Sequence, residues 1–196
     1  MFRESMTKEE LAELPLAQFT GDIILVETPG MAEIAAGYLR NFPVLGFDTE
    51  TKPSFTKGEI HKVALLQLAT EERAFLIRLQ KVGLPDSIRK ILSDPRQLKT
   101  GVAIRDDLKA LQKVRNFRPE GFVELQDMAV RSGIRDFSLK KLCAILLGVR
   151  ISKAQQTSNW ESESLSDQQL VYAATDAYMS LKIFEKFNNS QAGEGV

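Results

Sequence analysis

Apolar and polar positions along the chain set out strands and helices in mixed order. Residues 23–26 read as a short strand. Residues 31–40 read as a helix in which Ala32, Ile34, Ala35, Ala36 and Leu39 occupy most of the circumference. Residues 44–50 form a strand with a continuous apolar start, followed by a loop over 51–62 that carries Pro53 and Gly58. Two apolar runs, 63–69 and 74–77, are joined by a charged turn and predict a hairpin. Pro85 opens a helix through Leu92, 98–103 is a strand, 106–113 a helix, and 122–125 a short strand running into a helix from Gln126. Ser138 caps a helix with Leu139, Leu142, Cys143 and Leu146 at 0, 3, 4, 7 spacing, ended by Gly148. Thr7 with Glu10, and Ser166 with Gln169, have capping-box spacing. The first starts a short helix, and the second a long one reaching Phe187. An early hairpin followed by alternation predicts an α/β fold: a mixed sheet of five or six strands flanked by helices.

The chain has 196 residues, which suits one principal domain. We expect an N-terminal extension over 1–21, partly helical, a domain over 22–187 and a flexible tail over 188–196. Apolar residues at 43% and charged residues at 27% exclude collagen, coiled coil and global disorder. The longest apolar stretch, 142–149, is too short to span a membrane. One cysteine excludes an internal disulfide, and its place on an apolar stripe predicts a core residue. One histidine, His61, excludes schemes that need two. The charged N-terminus lacks the apolar core of a signal peptide, and a reducing cytoplasm is the expected compartment. Basic and acidic residues balance at 26 each, so bulk charge does not make this a nucleic-acid coat. Locally, however, Arg96, Lys99, Arg105, Lys109, Lys113, Arg115 and Arg118 face only Asp106 and Asp107 in sequence. That stretch reads equally as a solvated face or a phosphate-contacting one.

Candidate chemistry is acidic. Asp48 and Glu50 stand at i and i+2 of a strand and so share a face, opposite Leu45, Phe47 and Thr49. Gly46 lies on the carboxylate face and is expected to leave room there. Two like charges at that place call for a cation, a divalent metal first; a strand end emerging into solvent has the same pattern. Asp106 and Asp107 sit at a strand-to-helix junction, where carboxylates also serve as helix starters. Tyr172 and Asp176 are i and i+4 on one helix face, among Ala173, Ala174 and Ala177. Taken singly, that pair also fits a core tyrosine and a surface aspartate.

Taken together and in this order, the three motifs resemble those of the DEDD superfamily of 3′–5′ exonucleases, tyrosine branch. Its best-known members are ribonuclease D and the exonuclease domain of the Werner syndrome helicase. Phe47-Asp-Thr-Glu-Thr51 is similar to the family's first motif, Gly101 to Leu111 to its second, and Tyr172 to Ala177 to its third. Counting from Gly101 places the second motif's aspartate at Asp107, not Asp106. Ser138 to Leu142, Leu147-Gly148, Lys153 and Trp160 are similar to the link between the last two motifs. Ala154 departs from the serine many relatives carry after the lysine. The histidine branch would need histidine at the position of Val171.

The resemblance implies a ribonuclease H-like fold and hydrolysis of phosphodiester bonds from a free 3′ end, releasing nucleoside 5′-monophosphates. It also implies two divalent ions, Mg²⁺ or Mn²⁺, held by Asp48, Glu50, Asp107 and Asp176, with Tyr172 orienting the attacking water. A non-catalytic nucleic-acid-binding module on the same fold is the alternative. The expected partner is single-stranded nucleic acid, with no membrane. Arg105, Lys109 and Lys153 are the expected phosphate contacts, and Phe55 is the expected stacking surface. Trp160 reads as core before it reads as a second stacking surface.

Overall fold

The computed structural model describes residues 2–56 and 58–192. A short helix, α1 (Lys8–Glu13), precedes a single six-stranded sheet. The strands are β1 (Asp22–Val26), β2 (Val44–Thr51), β3 (Val63–Ala69), β4 (Arg73–Arg78), β5 (Leu98–Gly101) and β6 (Phe122–Glu124). Their order across the sheet is β1-β4-β3-β2-β5-β6. β2, β3 and β4 are antiparallel neighbours, and the flanking pairs β1–β4, β2–β5 and β5–β6 are parallel. Every residue of β3 is buried, as a strand covered on both faces requires. The expected hairpin forms, its turn closed by the Thr70 N–H donating to the Arg73 carbonyl at 2.8 Å.

One face of the sheet packs against α2 (Pro29–Leu39), α3 (Leu79–Val82), α4 (Asp86–Leu92) and α5 (Ile104–Val114). The other is covered by α6 (Leu125–Arg131), α7 (Leu139–Leu142) with its π-helical continuation Cys143–Leu147, and the long α8 (Asp167–Ala192). The alternation of β2 follows this division. Leu45 and Phe47 enter the α2–α4–α5 layer, while Val44, Gly46, Asp48 and Glu50 belong to the α8 side.

The space at Gly46 is not open, contrary to expectation. A Cβ there would land on the Ala177 carbonyl of α8. The small residues Ala173, Ala174 and Ala177 are wholly buried and let the helix backbone lie directly on β2. That contact, and not free volume, is what glycine provides here.

Several boundaries shift for reasons that lie in other elements. β5 ends at Gly101 and α5 begins at Ile104, earlier than 106. Ala103 adopts a left-handed conformation, φ 60°, and starts the helix. The Glu124 carboxylate accepts the Ala103 and Ile104 N–H groups, each at 2.9 Å, which makes that start possible. Pro85 is the cap residue of α4 and not its first helical residue. α8 continues past Phe187 to Ala192, so the expected tail is helical over its first residues; residues 193–196 lie outside the described residues. Both capping boxes form. The segment before β1 is tied down: Phe19 N–H donates to Thr175 Oγ1 at 3.0 Å, and the Phe2 ring sits edge-on to Phe187 at 5.8 Å. No described helix is long and apolar enough to cross a membrane.

Two glycine substitutions separate close packing from chain entropy. Gly46→Ala should cost about 3 kcal/mol or more in a urea titration, because α8 must lift. Gly37→Ala, in α2 with nothing near its added methyl, should gain about 0.5–1 kcal/mol. Equal effects would contradict the packing argument.

Candidate active site

Three carboxylates meet where β2 passes beneath α8. Asp48, Glu50 and Asp176 each offer an oxygen within 4.8 Å of the others. Asp48 is oriented by the Thr49 N–H, which donates to Oδ1 at 2.9 Å. Asp176 is buried, and its Oδ1 has no hydrogen-bond partner. Tyr172 lies one helical turn earlier, packed against the wholly buried Trp160 with ring centroids 6.0 Å apart. Trp160 is therefore core and not a stacking surface.

Burial and mutual repulsion dominate the electrostatics. Burial, then the charges of Asp176 and Asp107, holds the Asp48 carboxyl well above its ordinary range. Burial and then Asp48 push Glu50 up to about 10. Burial lifts Asp176 to about 7, against the opposing effects of the Tyr172 hydroxyl and the Lys153 charge. The Tyr172 phenol is raised by burial, then by Asp176 and Glu50. It stays protonated and can only donate or accept a hydrogen bond as the neutral form.

Asp107 approaches from the opposite layer. It sits on α5, and its Oδ1 accepts the Thr49 hydroxyl at 2.7 Å. Thr49 projects from the other side of β2, so the strand carries the three-carboxylate cluster on one side and the tether to Asp107 on the other. Burial lifts Asp107 to about 6, with Thr49 opposing. Asp106 points into solvent, 91% exposed, and pairs with Lys109 at 2.9 Å.

The donor set is all carboxylate oxygen, and Asp176 Oδ1 is an orphaned buried acceptor. Both fit a hard divalent cation such as Mg²⁺ or Mn²⁺. Lys153 and Lys140 line the surrounding cleft of about 250 Å³ with Ser138, Ser152 and Gln156.

The remaining candidates lie elsewhere. Lys99 turns inward: its Nζ donates to the carbonyls of Ile91, Asp94 and Gln97 at 2.9, 2.8 and 2.6 Å. Within the 96–118 stretch it thus closes the end of α4 and cannot reach a phosphate. Arg96, Arg115 and Arg118 pair with Asp94, Asp86 and Glu120. Arg105 pairs with Asp127 at 3.3 Å, and, like Lys109, it is exposed and outside the cleft lining. Phe55 is 84% exposed on the loop after β2 and also outside that lining. His61 sits between Glu59 and Glu161. Cys143 is buried, which pushes its thiol up and leaves it unreactive.

Three residues of the site escape sequence reasoning. Glu124 caps α5 and thereby places Asp107. Lys140 reads as a helix-surface lysine until α7 is brought over the cleft. Gln67 is the antiparallel partner of Asp48, fully buried, with neither amide atom hydrogen-bonded. Only its polarity in an otherwise apolar strand signals it.

Comparison with known proteins gives a consistent match. Residues 23–191 match the family model described as 3′-5′ exonuclease. The bifunctional 3′-5′ exonuclease/ATP-dependent helicase WRN of Mus musculus is 31% identical over 186 residues, 90% of this chain and 13% of that protein. Exonuclease 3′-5′ domain-containing protein 2 of Homo sapiens is 32% identical over 158 residues, 74% of this chain and 25% of that protein. The chain thus spans a quarter or less of these relatives. The Aedes aegypti Nibbler EXO domain superposes with a TM-score of 0.83 at 22% identity, covering 92% of this chain and 94% of that one. The fold is the ribonuclease H-like one.

The carboxylate shifts make metal-free stability depend on pH with a definite sign. Each group binds its proton more tightly folded than unfolded. Its stabilising contribution is therefore complete below about pH 4 and is lost as pH rises through the folded values, about 6 for Asp107 and about 7 for Asp176. In chelator, the protein should melt several degrees lower at pH 8 than at pH 5. Asp176→Asn should narrow that gap and melt above wild type at pH 8. An unchanged gap would contradict the reading of a repulsive cluster.

Proposed function

The chain belongs to the 3′–5′ exonuclease family of the DEDD superfamily, and on that premise we propose that it is a catalytically active, metal-dependent exonuclease of the tyrosine branch. It removes nucleotides from a free 3′ end of single-stranded nucleic acid as 5′-monophosphates, in a cytoplasmic setting. The observation that carries this reading is the convergence of Asp48, Glu50 and Asp176 with Tyr172 one turn away.

Asp48, Glu50 and Asp176 would hold two divalent ions, Mg²⁺ or Mn²⁺, with Asp107 supporting from across β2. Bound there, such ions make water nucleophilic near neutral pH and offset charge on the phosphoryl oxygens. The chain's own groups do the rest. Asp48 lies within reach of Glu50 and Asp176 and feels the charge of Asp107, which suits a shared ligand. Tyr172, protonated and braced by Trp160, holds a hydrogen-bond partner in place and accepts no proton at neutral pH. Lys153 and Lys140 put positive charge on the cleft wall, where a backbone phosphate would lie. Arg105 and Lys109 serve, in this reading, as more distant phosphate contacts, and Phe55 as an exposed face for an unstacked base.

A digest of 5′-labelled single strands, DNA and RNA separately, with Mg²⁺ and with Mn²⁺, tests the proposal. The expected product pattern is a descending ladder. Tyr172→Phe should lower turnover about 10²-fold with little change in KM, since the lost hydrogen bond matters in the transition state. Cutting of a circular single strand, or full turnover in Tyr172→Phe, would contradict the reading.

A further inference from the structure

Gln67 does not suit its strand. β3 reads Val63-Ala-Leu-Leu-Gln-Leu-Ala69, and every residue of it is buried. The Gln67 side chain is wholly buried, and neither Oε1 nor Nε2 has a hydrogen-bond partner. An amide left in that state costs stability that an apolar side chain of the same length would not. Folding alone gives no reason for a glutamine here.

Its place in the sheet gives one. Leu66 and Leu68 enter the α2–α4–α5 layer, while Leu65 and Ala69 pack on the α8 side. Gln67 alternates with Leu66 and Leu68 and so lies on the α8 side. The strand register sets it directly opposite Asp48, between the pairs Leu65–Glu50 and Ala69–Gly46. Directly opposed strand residues hold their Cβ atoms about 4.5–5.5 Å apart. Rotation about the Gln67 side-chain bonds therefore brings Nε2 to the Asp48 carboxylate.

Asp48 has acceptor capacity to spare. Among the described residues its hydrogen-bond donor is the Thr49 N–H, at 2.9 Å. A carboxylate offers about four acceptor sites. A second donor, from β3, would fix the plane of the carboxylate and leave its remaining sites for a cation. Gln67 is not part of the cleft lining, so it would act through Asp48 and touch neither substrate nor ion.

We propose that Gln67 is a positioning residue whose Nε2 donates to Asp48 and holds that carboxylate in the orientation that binds a divalent cation, an inference that rests on the metal-dependent reading of the site. The amide then lowers the stability of the empty fold and raises its affinity for the ion.

Gln67→Met keeps the length of the side chain and removes the amide. It is compared with wild type and with Leu66→Val, which perturbs the same strand on the side away from Asp48. Two quantities are measured without nucleic acid: thermal melting in chelator, and Mn²⁺ affinity from the loss of the free-ion electron paramagnetic resonance signal. Gln67→Met should melt at the wild-type temperature or a few degrees above it, and bind Mn²⁺ about tenfold more weakly. Leu66→Val should show the opposite split, melting lower with unchanged Mn²⁺ affinity. A glutamine that served only the fold could not give stability gained with affinity lost. If Gln67→Met binds Mn²⁺ as wild type does, or if neither it nor Gln67→Leu folds, the proposal is overturned and the exonuclease reading stands. If wild type binds no more Mn²⁺ than Asp176→Asn does, both readings fall together.

Discussion

The close approach of α8 to β2 at Gly46 is the constraint on which the rest of this molecule depends. A side chain at that position would occupy the space of the Ala177 carbonyl. Glycine on the strand and three buried alanines on the helix remove the usual layer of side chains between them. Backbone then lies on backbone, and Asp176, on the neighbouring helix residue, comes within reach of Asp48 and Glu50. Larger residues at these positions would separate the layers by several ångströms and leave three isolated carboxylates, each ordinary in its chemistry.

The same contact makes the cluster costly. Its carboxylates are desolvated together, which raises all three, and the charges of their neighbours raise Asp48 and Glu50 further. A fold seldom accumulates such repulsion without a cation to relieve it, and Lys153, in the cleft lining, lowers Asp176 only in part. The strain is local because the surroundings are rigid: β3 is buried along its whole length, and Trp160 braces Tyr172 from behind. Gln67, buried across from Asp48 without a hydrogen bond, belongs to the same polar island in an apolar layer.

What could be read in the sequence is what depends on local periodicity. The i, i+2 spacing of Asp48 and Glu50 and the i, i+4 spacing of Tyr172 and Asp176 each specify a shared face, and the structure brings the two pairs into one place. The hairpin and both capping boxes are also local and form as expected. What was illegible depends on partners far along the chain. Gly46 reads as empty room because the helix that fills it follows more than a hundred residues later. The early start of α5 needs Glu124 from β6, and composition counts Lys99 as surface charge although three carbonyls draw it inward. Asp107 was distinguishable from Asp106 only by resemblance; the physical difference is the Thr49 hydroxyl on one and solvent around the other.

The central claim is that helix–strand contact at Gly46 creates a divalent-cation site from Asp48, Glu50 and Asp176. Crystals soaked in Mn²⁺ and measured near the manganese absorption edge test it without any assay of activity. The account predicts an anomalous difference peak bounded by oxygens of those three residues, absent after the same soak of Asp176→Asn crystals. Manganese bound only at surface carboxylates such as Asp106 or Glu59, with the cluster empty, would contradict it.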